Sequence, residues 1–366
     1  MRPGASGASG AAPILMTHSA GSLEPVQESE LLFPKARAST DPRDTIRAAG
    51  SFTSGTHTVN PTDRRFVYLR RLALLCAVMV LAVTSLSAFI RLSKAGLGCA
   101  DWPQCYGQSL RQLQQGVAPN ADEQTATAVA RLAHRVAAVT ALVLVITMVM
   151  ICFGTRPVLR AEGAMALALL GLALFLAVLG RWSSGARVPA VAMGNLLGGF
   201  AMLALSARLA VAGRPLHAPR LRAGVLCAAM PLLAQVALGG LVSASYAGLS
   251  CSGWVDCLQA ARTIGWYTLD PWREPVLGRL PAINPAGALA QALHRGVAFA
   301  LVLLLPVLAV AALRRGRPRS AMTLLVALAA QVAAGLAMVQ WSLPIALALL
   351  HNLLAAGLLV VLVLLF

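Results

Sequence analysis

At 366 residues, 58% of them hydrophobic and only 12% charged, the chain carries about half the charged fraction of an ordinary soluble domain. Its formal net charge of +17 would suggest nucleic acid if the cations lined a soluble face. They sit instead in clusters between apolar runs, so nucleic-acid binding is set aside and a multi-span membrane protein is expected, as the mean hydropathy of +0.73 also requires.

In chain order, residues 1–65 come first. Repeated Gly, Ala and Ser with few large apolar residues predict a disordered tail, and no apolar core with a small-residue cleavage site marks it as a signal peptide. Eight apolar stretches of about 20 residues follow, near 71–91, 127–152, 162–181, 189–209, 223–243, 286–313, 320–340 and 345–366. An all-α integral membrane fold is expected, built as two tandem four-helix bundles over 66–212 and 213–366.

Arginines orient these spans. Arg64, Arg65, Arg70 and Arg71 precede the first; Arg156 and Arg160 join the second to the third. Arg208, Arg214, Arg220 and Arg222 join the halves, and Arg314, Arg315, Arg317 and Arg319 join the sixth to the seventh. The opposite loops carry only Arg181 and Arg187, or none. The positive-inside rule predicts a cytoplasmic N-terminus and an outer placement for the long loop 245–285.

One motif, A-G-L-x-C-x-x-W-x-x-C, occurs twice: at Ala95, Gly96, Leu97, Cys99, Trp102 and Cys105, and 152 residues later at Ala247, Gly248, Leu249, Cys251, Trp254 and Cys257. Each copy is followed by a His-Arg pair, His134-Arg135 and His294-Arg295. Matching motifs in matching order imply a duplicated unit.

Cys76, Cys152 and Cys227 lie in apolar runs and read as packing residues. Cys99/Cys105 and Cys251/Cys257 would face an oxidising compartment, where a disulfide or redox-active pair is plausible. Free thiols are the alternative, and two cysteines without a nearby histidine make a poor zinc site. His18, His57 and His217 fall outside the spans. His134, His294 and His351 fall within them, each roughly 10 Å below the outer surface at 1.5 Å per residue. Histidines at one depth on different helices suit axial ligation of a haem iron, with His294 and His351 the favoured pair. The plainer alternative is a hydrogen bond to a neighbouring helix. Arg135 and Arg295 would hold haem propionates or else snorkel to water.

The strings R-L-S-K-A-G-L-G-C-A-D-W-P-Q-C-Y-G (91–107), A-L-H-R (292–295) and S-L-P-I-A-L-A-L-L-H-N (342–352) resemble the haem A synthase family. The resemblance runs over about residues 68–366. It implies an eight-helix oxidoreductase of a bacterial inner membrane that takes haem O to haem A by oxidising the C8 methyl group, for cytochrome oxidase. It implies a haem b between His294 and His351, and haem O bound in the N-terminal half near His134. The first cysteine pair would serve redox or haem transfer. Haem O synthase and oxidase assembly factors are the implied protein partners, and the lipid bilayer is the setting.

Two departures bear on catalysis. The family's glutamate three residues before the second-span histidine is replaced by Arg131. A fourth-span histidine is expected where Asn195 stands, although aligning N-L-L-G-G with N-L-L-A-A pairs Gly194 with His351. Asn195 is a feeble iron ligand, which would leave His134 alone or an open position for substrate. The rival reading is a non-catalytic b-type haem electron carrier or haem-handling assembly factor. A transporter shares the duplicated architecture, but the chain lacks intramembrane acidic residues.

Overall fold

The computed structural model describes residues 61–117, 121–183, 187–214, 219–279 and 281–365. The expected disordered tail lies outside them up to residue 60, as do His18, His57 and His217. Ten α-helices are present among the described residues, with no strand. They are α1 (Pro61–Lys94), α2 (Gln108–Gln114), α3 (Ala121–Phe153), α4 (Arg160–Ser183), α5 (Pro189–Leu209), α6 (Pro219–Ala244), α7 (Trp254–Arg262), α8 (Ala288–Leu313), α9 (Pro318–Gln340) and α10 (Ile345–Leu364).

Eight of these, all but α2 and α7, are long and apolar enough to cross a membrane. Prolines open several of them, at Pro189 and Pro318, where the missing N–H costs nothing. Spans three to eight begin and end within two residues of the apolar stretches read from sequence. The first differs: α1 begins at Pro61, ten residues before its apolar stretch. The added turns carry arginines with work at that end. Arg65 donates to the carbonyls of Ile151, Cys152 and Pro157, at 2.5, 3.2 and 2.7 Å. Arg70 donates to Ala212 O at 2.6 Å. These carbonyls lie at and just past the C-terminal ends of α3 and α5, where a cation is favoured by the helix dipole; Cys152 O also accepts from the Leu159 N–H.

Packing follows chain order. Helices α1, α3, α4 and α5 each touch the next, and α5 returns to α1; α6, α8, α9 and α10 do the same. Between these sets α5 meets α6, α10 meets α1, and α5 meets α10. Two four-helix halves are consistent with these contacts. Helix α5 is the most enclosed of the eight spans, with 50% of its most apolar window buried against 17% for α4 and α9. Small residues let its neighbours close on it: a Cβ at Gly198 or Gly199 would meet Leu176 or Thr84 at 2.5 Å.

Candidate functional site

The two cysteine loops lie at the end opposite the arginine clusters and interlock there. Gly96 takes φ +94°, and a Cβ on it would lie 2.6 Å from Cys105 O, so the first turn closes this tightly only with glycine. Of the states the sequence leaves open for the cysteines, the structure has the disulfide in both loops, Cys99–Cys105 and Cys251–Cys257. The Gly248 N–H donates to the Tyr106 hydroxyl at 3.2 Å, joining one loop to the other. The Tyr106 ring stands 5.4 Å from Trp102 and 5.8 Å from Tyr246, centroid to centroid. Burial pushes the Tyr106 phenol above its ordinary range and that of Tyr246 up to about 12, so both stay neutral hydroxyls.

Below this cap, His294 stands on α8 and His351 on α10, and both helices pack against α6 and α9. Each ring rests against a facing helix in the same way. His294 Nδ1–H donates to the Gln235 carbonyl of α6 at 3.1 Å, which leaves the lone pair on Nε2, and the Gln235 amide lies 3.3 Å from that atom. On α9 the Gln331 amide lies 3.2 Å from His351 Nε2. One turn on, a Cβ at Gly239 would come 2.9 Å from His294 Cε1, and one at Gly335 3.0 Å from His351 Cε1. Gln-Val-Ala-x-Gly thus recurs at 235–239 and 331–335, the glutamine meeting the imidazole and the glycine making room for it. Sequence reading missed both glutamines. The repeated pentapeptide was the available signal.

This donor set fits a haem. Two imidazoles on different helices of one set suit an iron already held by four macrocycle nitrogens. Among the described residues His351 Nδ1 is buried with no hydrogen-bond partner, so nothing there fixes which of its nitrogens carries the lone pair. A bare ion asks for more ligands, and among the described residues no group of three or more His, Cys, Asp or Glu could hold one. An iron at either Nε2 would compete with a glutamine amide for that lone pair. The Oε1 atoms of Gln235 and Gln331, both buried and unpartnered, show that these amides have bonding capacity to spare.

The N-terminal half is set differently. His134 is half-buried on α3 beside Arg135, which is exposed and has no hydrogen-bond or ion-pair partner among the described residues. Arg131 donates to Thr127 Oγ1 at 3.3 Å. Asn195 is half-buried, and no described side chain or backbone group bonds its amide. The neighbouring Gly194 faces α4, where a Cβ would lie 2.8 Å from Leu179 Cδ2. In the C-terminal half the large and small partners are exchanged, with His351 on α10 against Gly335 on α9. Leu179 therefore occupies space that an imidazole at position 194 would need. Arg295 reaches the loop backbone, its Nη1 donating to Gly253 O at 2.9 Å.

Residues 70–363 match the family model described as cytochrome oxidase assembly protein (COX15-CtaA). Among curated proteins, the heme A synthase of Shewanella oneidensis is 32% identical over 206 residues, covering 50% of this chain and 62% of that protein. The match thus spans less than two thirds of that relative's length.

Proposed function

Because the chain belongs to the cytochrome oxidase assembly protein family, we propose that this integral membrane protein is an oxidoreductase of the haem A synthase type, oxidising the C8 methyl group of haem O toward haem A. In this reading His294 and His351 hold a haem b, and haem O binds in the N-terminal half with His134 toward its iron. The arginine-rich end faces the cytoplasm of a bacterial cell and the cysteine loops face outward across the inner membrane. Haem O synthase and oxidase assembly factors are the expected protein partners.

The observation that carries this reading is the matched setting of His294 and His351, each between a glutamine amide and a glycine on the facing helix. A bound haem supplies one-electron redox chemistry there. The chain supplies position. The Gln235 carbonyl holds the His294 tautomer that presents Nε2, a hydrogen bond of the kind that orients metal-binding histidines. Gly239 and Gly335 let each ring lie close against its neighbour. Arg135, exposed and without a partner among the described residues, suits a propionate carboxylate; Arg295 would share its guanidinium between a propionate and Gly253 O.

A second reading, a non-catalytic b-type carrier or haem-handling assembly factor, is favoured by the N-terminal half. Leu179 fills the space opposite Gly194, and Arg131 replaces the carboxylate. Haem extracted from the purified protein and identified by mass separates the two. Haem A or its hydroxylated precursor supports the synthase; haem b alone supports the carrier.

A further inference from the structure

Gln291 lies one helical turn before His294 on α8 and is only 6% exposed. Its amide donates to the Ala247 and Gly248 carbonyls at 2.7 and 2.6 Å. Its Oε1 lies 3.5 Å from the sulfurs of both Cys251 and Cys257. On the other side of His294, Arg295 donates to Gly253 O. The residues flanking the imidazole on its own helix therefore both grip the second cysteine loop. There is no slack between them: a Cβ on Gly287 would lie 2.2 Å from Ala247 Cβ.

The chemistry at Gln291 Oε1 depends on the sulfurs. A disulfide carries no hydrogen, so the buried oxygen faces two atoms that cannot donate to it. Two thiols, moving apart as the S–S bond breaks, would each present a weak S–H donor beside that oxygen. Among the described residues the other repeat shows no such link. Arg131, three residues before His134 as Gln291 is before His294, bonds Thr127 and not its cysteine loop.

We infer that the Cys251–Cys257 disulfide is a redox-responsive clamp on the His294 helix, with Gln291 as the positioning residue that transmits the state of the sulfurs. The clamp's effect on haem rests on the proposed role of His294. An external dithiol gives up two electrons and two protons and closes to its own disulfide. The Cys251–Cys257 bond breaks and two S–H groups form. Gln291 Oε1 then accepts from the new S–H groups, the Gln291 side chain shifts on the turn of α8 that leads into His294, and the His294 ring reorients.

The full-length, haem-loaded protein is treated with dithiothreitol and followed by mass-resolved thiol labelling, by the low-spin ferric resonance, and by hydrogen exchange over residues 288–296. Labelling of Cys251 and Cys257 should coincide with a shifted resonance and a change of about threefold or more in exchange, the scale of one hydrogen bond lost or gained. In Gln291→Leu both cysteines should still label while resonance and exchange stop responding. A Cys251→Ser/Cys257→Ser double variant should also be unresponsive, which assigns the effect to this pair rather than to Cys99–Cys105. Labelling of both cysteines in the wild type with neither readout changed overturns the inference, as does a Gln291→Leu protein that responds like the wild type. A wild-type protein that binds no haem sinks the functional reading instead, and the exchange measurement still decides the clamp.

Discussion

Arg91 and Ser243 occupy matching positions in the two repeats, 152 residues apart, and Arg91 Nε donates to Ser243 Oγ at 3.2 Å. Positions related by an internal repeat can touch only where the axis relating the repeats passes between them. The exchanged contacts of α5 with α6 and of α10 with α1 obey the same relation. Replacing Ser243 with Ala removes the hydrogen-bond acceptor of Arg91 Nε and should cost about 1.5–3 kcal/mol, as expected for a bond to a charged group. Thermal unfolding in detergent measures it; an unchanged midpoint would show that water replaces the serine freely.

The two halves should differ spectroscopically. His294→Ala or His351→Ala leaves an iron position empty and should abolish the low-spin ferric signal of the purified protein. His134→Ala should spare that signal while ending conversion of haem O. Loss of the low-spin haem in the His134 variant would reverse the assignment of cofactor and substrate to the halves.

Gly335→Ala tests the cradle without touching a nitrogen. Its Cβ would stand 3.0 Å from His351 Cε1, closer than ordinary contact allows, so the ring must shift by a few tenths of an ångström. A displaced low-spin resonance with unfolding changed by less than about 1.5 kcal/mol is expected, since one methyl is added to a site that can give slightly. An unaltered resonance would mean that Gly335 does not set the ring position.

Restoring the N-terminal site requires more than its missing side chains. Gly194→His alone should destabilise the protein by about 1–3 kcal/mol through overpacking on Leu179. Combined with Leu179→Gly it should regain stability, and with Arg131→Glu it should raise the haem content of that half. Haem-to-protein ratios decide between this and a half that has lost its chemistry. No gain in the triple variant would count against Gly194 as the counterpart of His351.

Much of this was legible in the sequence. Uninterrupted apolar runs of span length leave a chain few options in a bilayer, so the eight helices read directly. The cysteine loops announced themselves through a repeated motif. What escaped was everything that depends on helix rotation. Gln235 and Gln331 look like tolerated polar residues in apolar runs until α8 and α10 turn their histidines toward them. Likewise, nothing local to Leu179 says that it faces Gly194 across α4 and α5. The start of α1 escaped because its first turns serve helix ends more than 80 residues away rather than a hydrophobic slab.

Topology has its own check. A reporter that folds only outside the cytoplasm should be active when fused within 263–279 and silent within 213–218. The opposite pattern would invert the arginine-based orientation.

That experiment is cleaner than the usual alternative of flipping charges, because of Arg65 and Arg70. Both belong to the cluster that tells an insertion machinery which side the first span should keep its start on. Both also bond carbonyls at the C-terminal ends of α3 and α5, helices made later in synthesis. Reversing their charge would confound address with assembly: a chain threaded correctly could still fail to close its first bundle, and the loss would pass for a topological error.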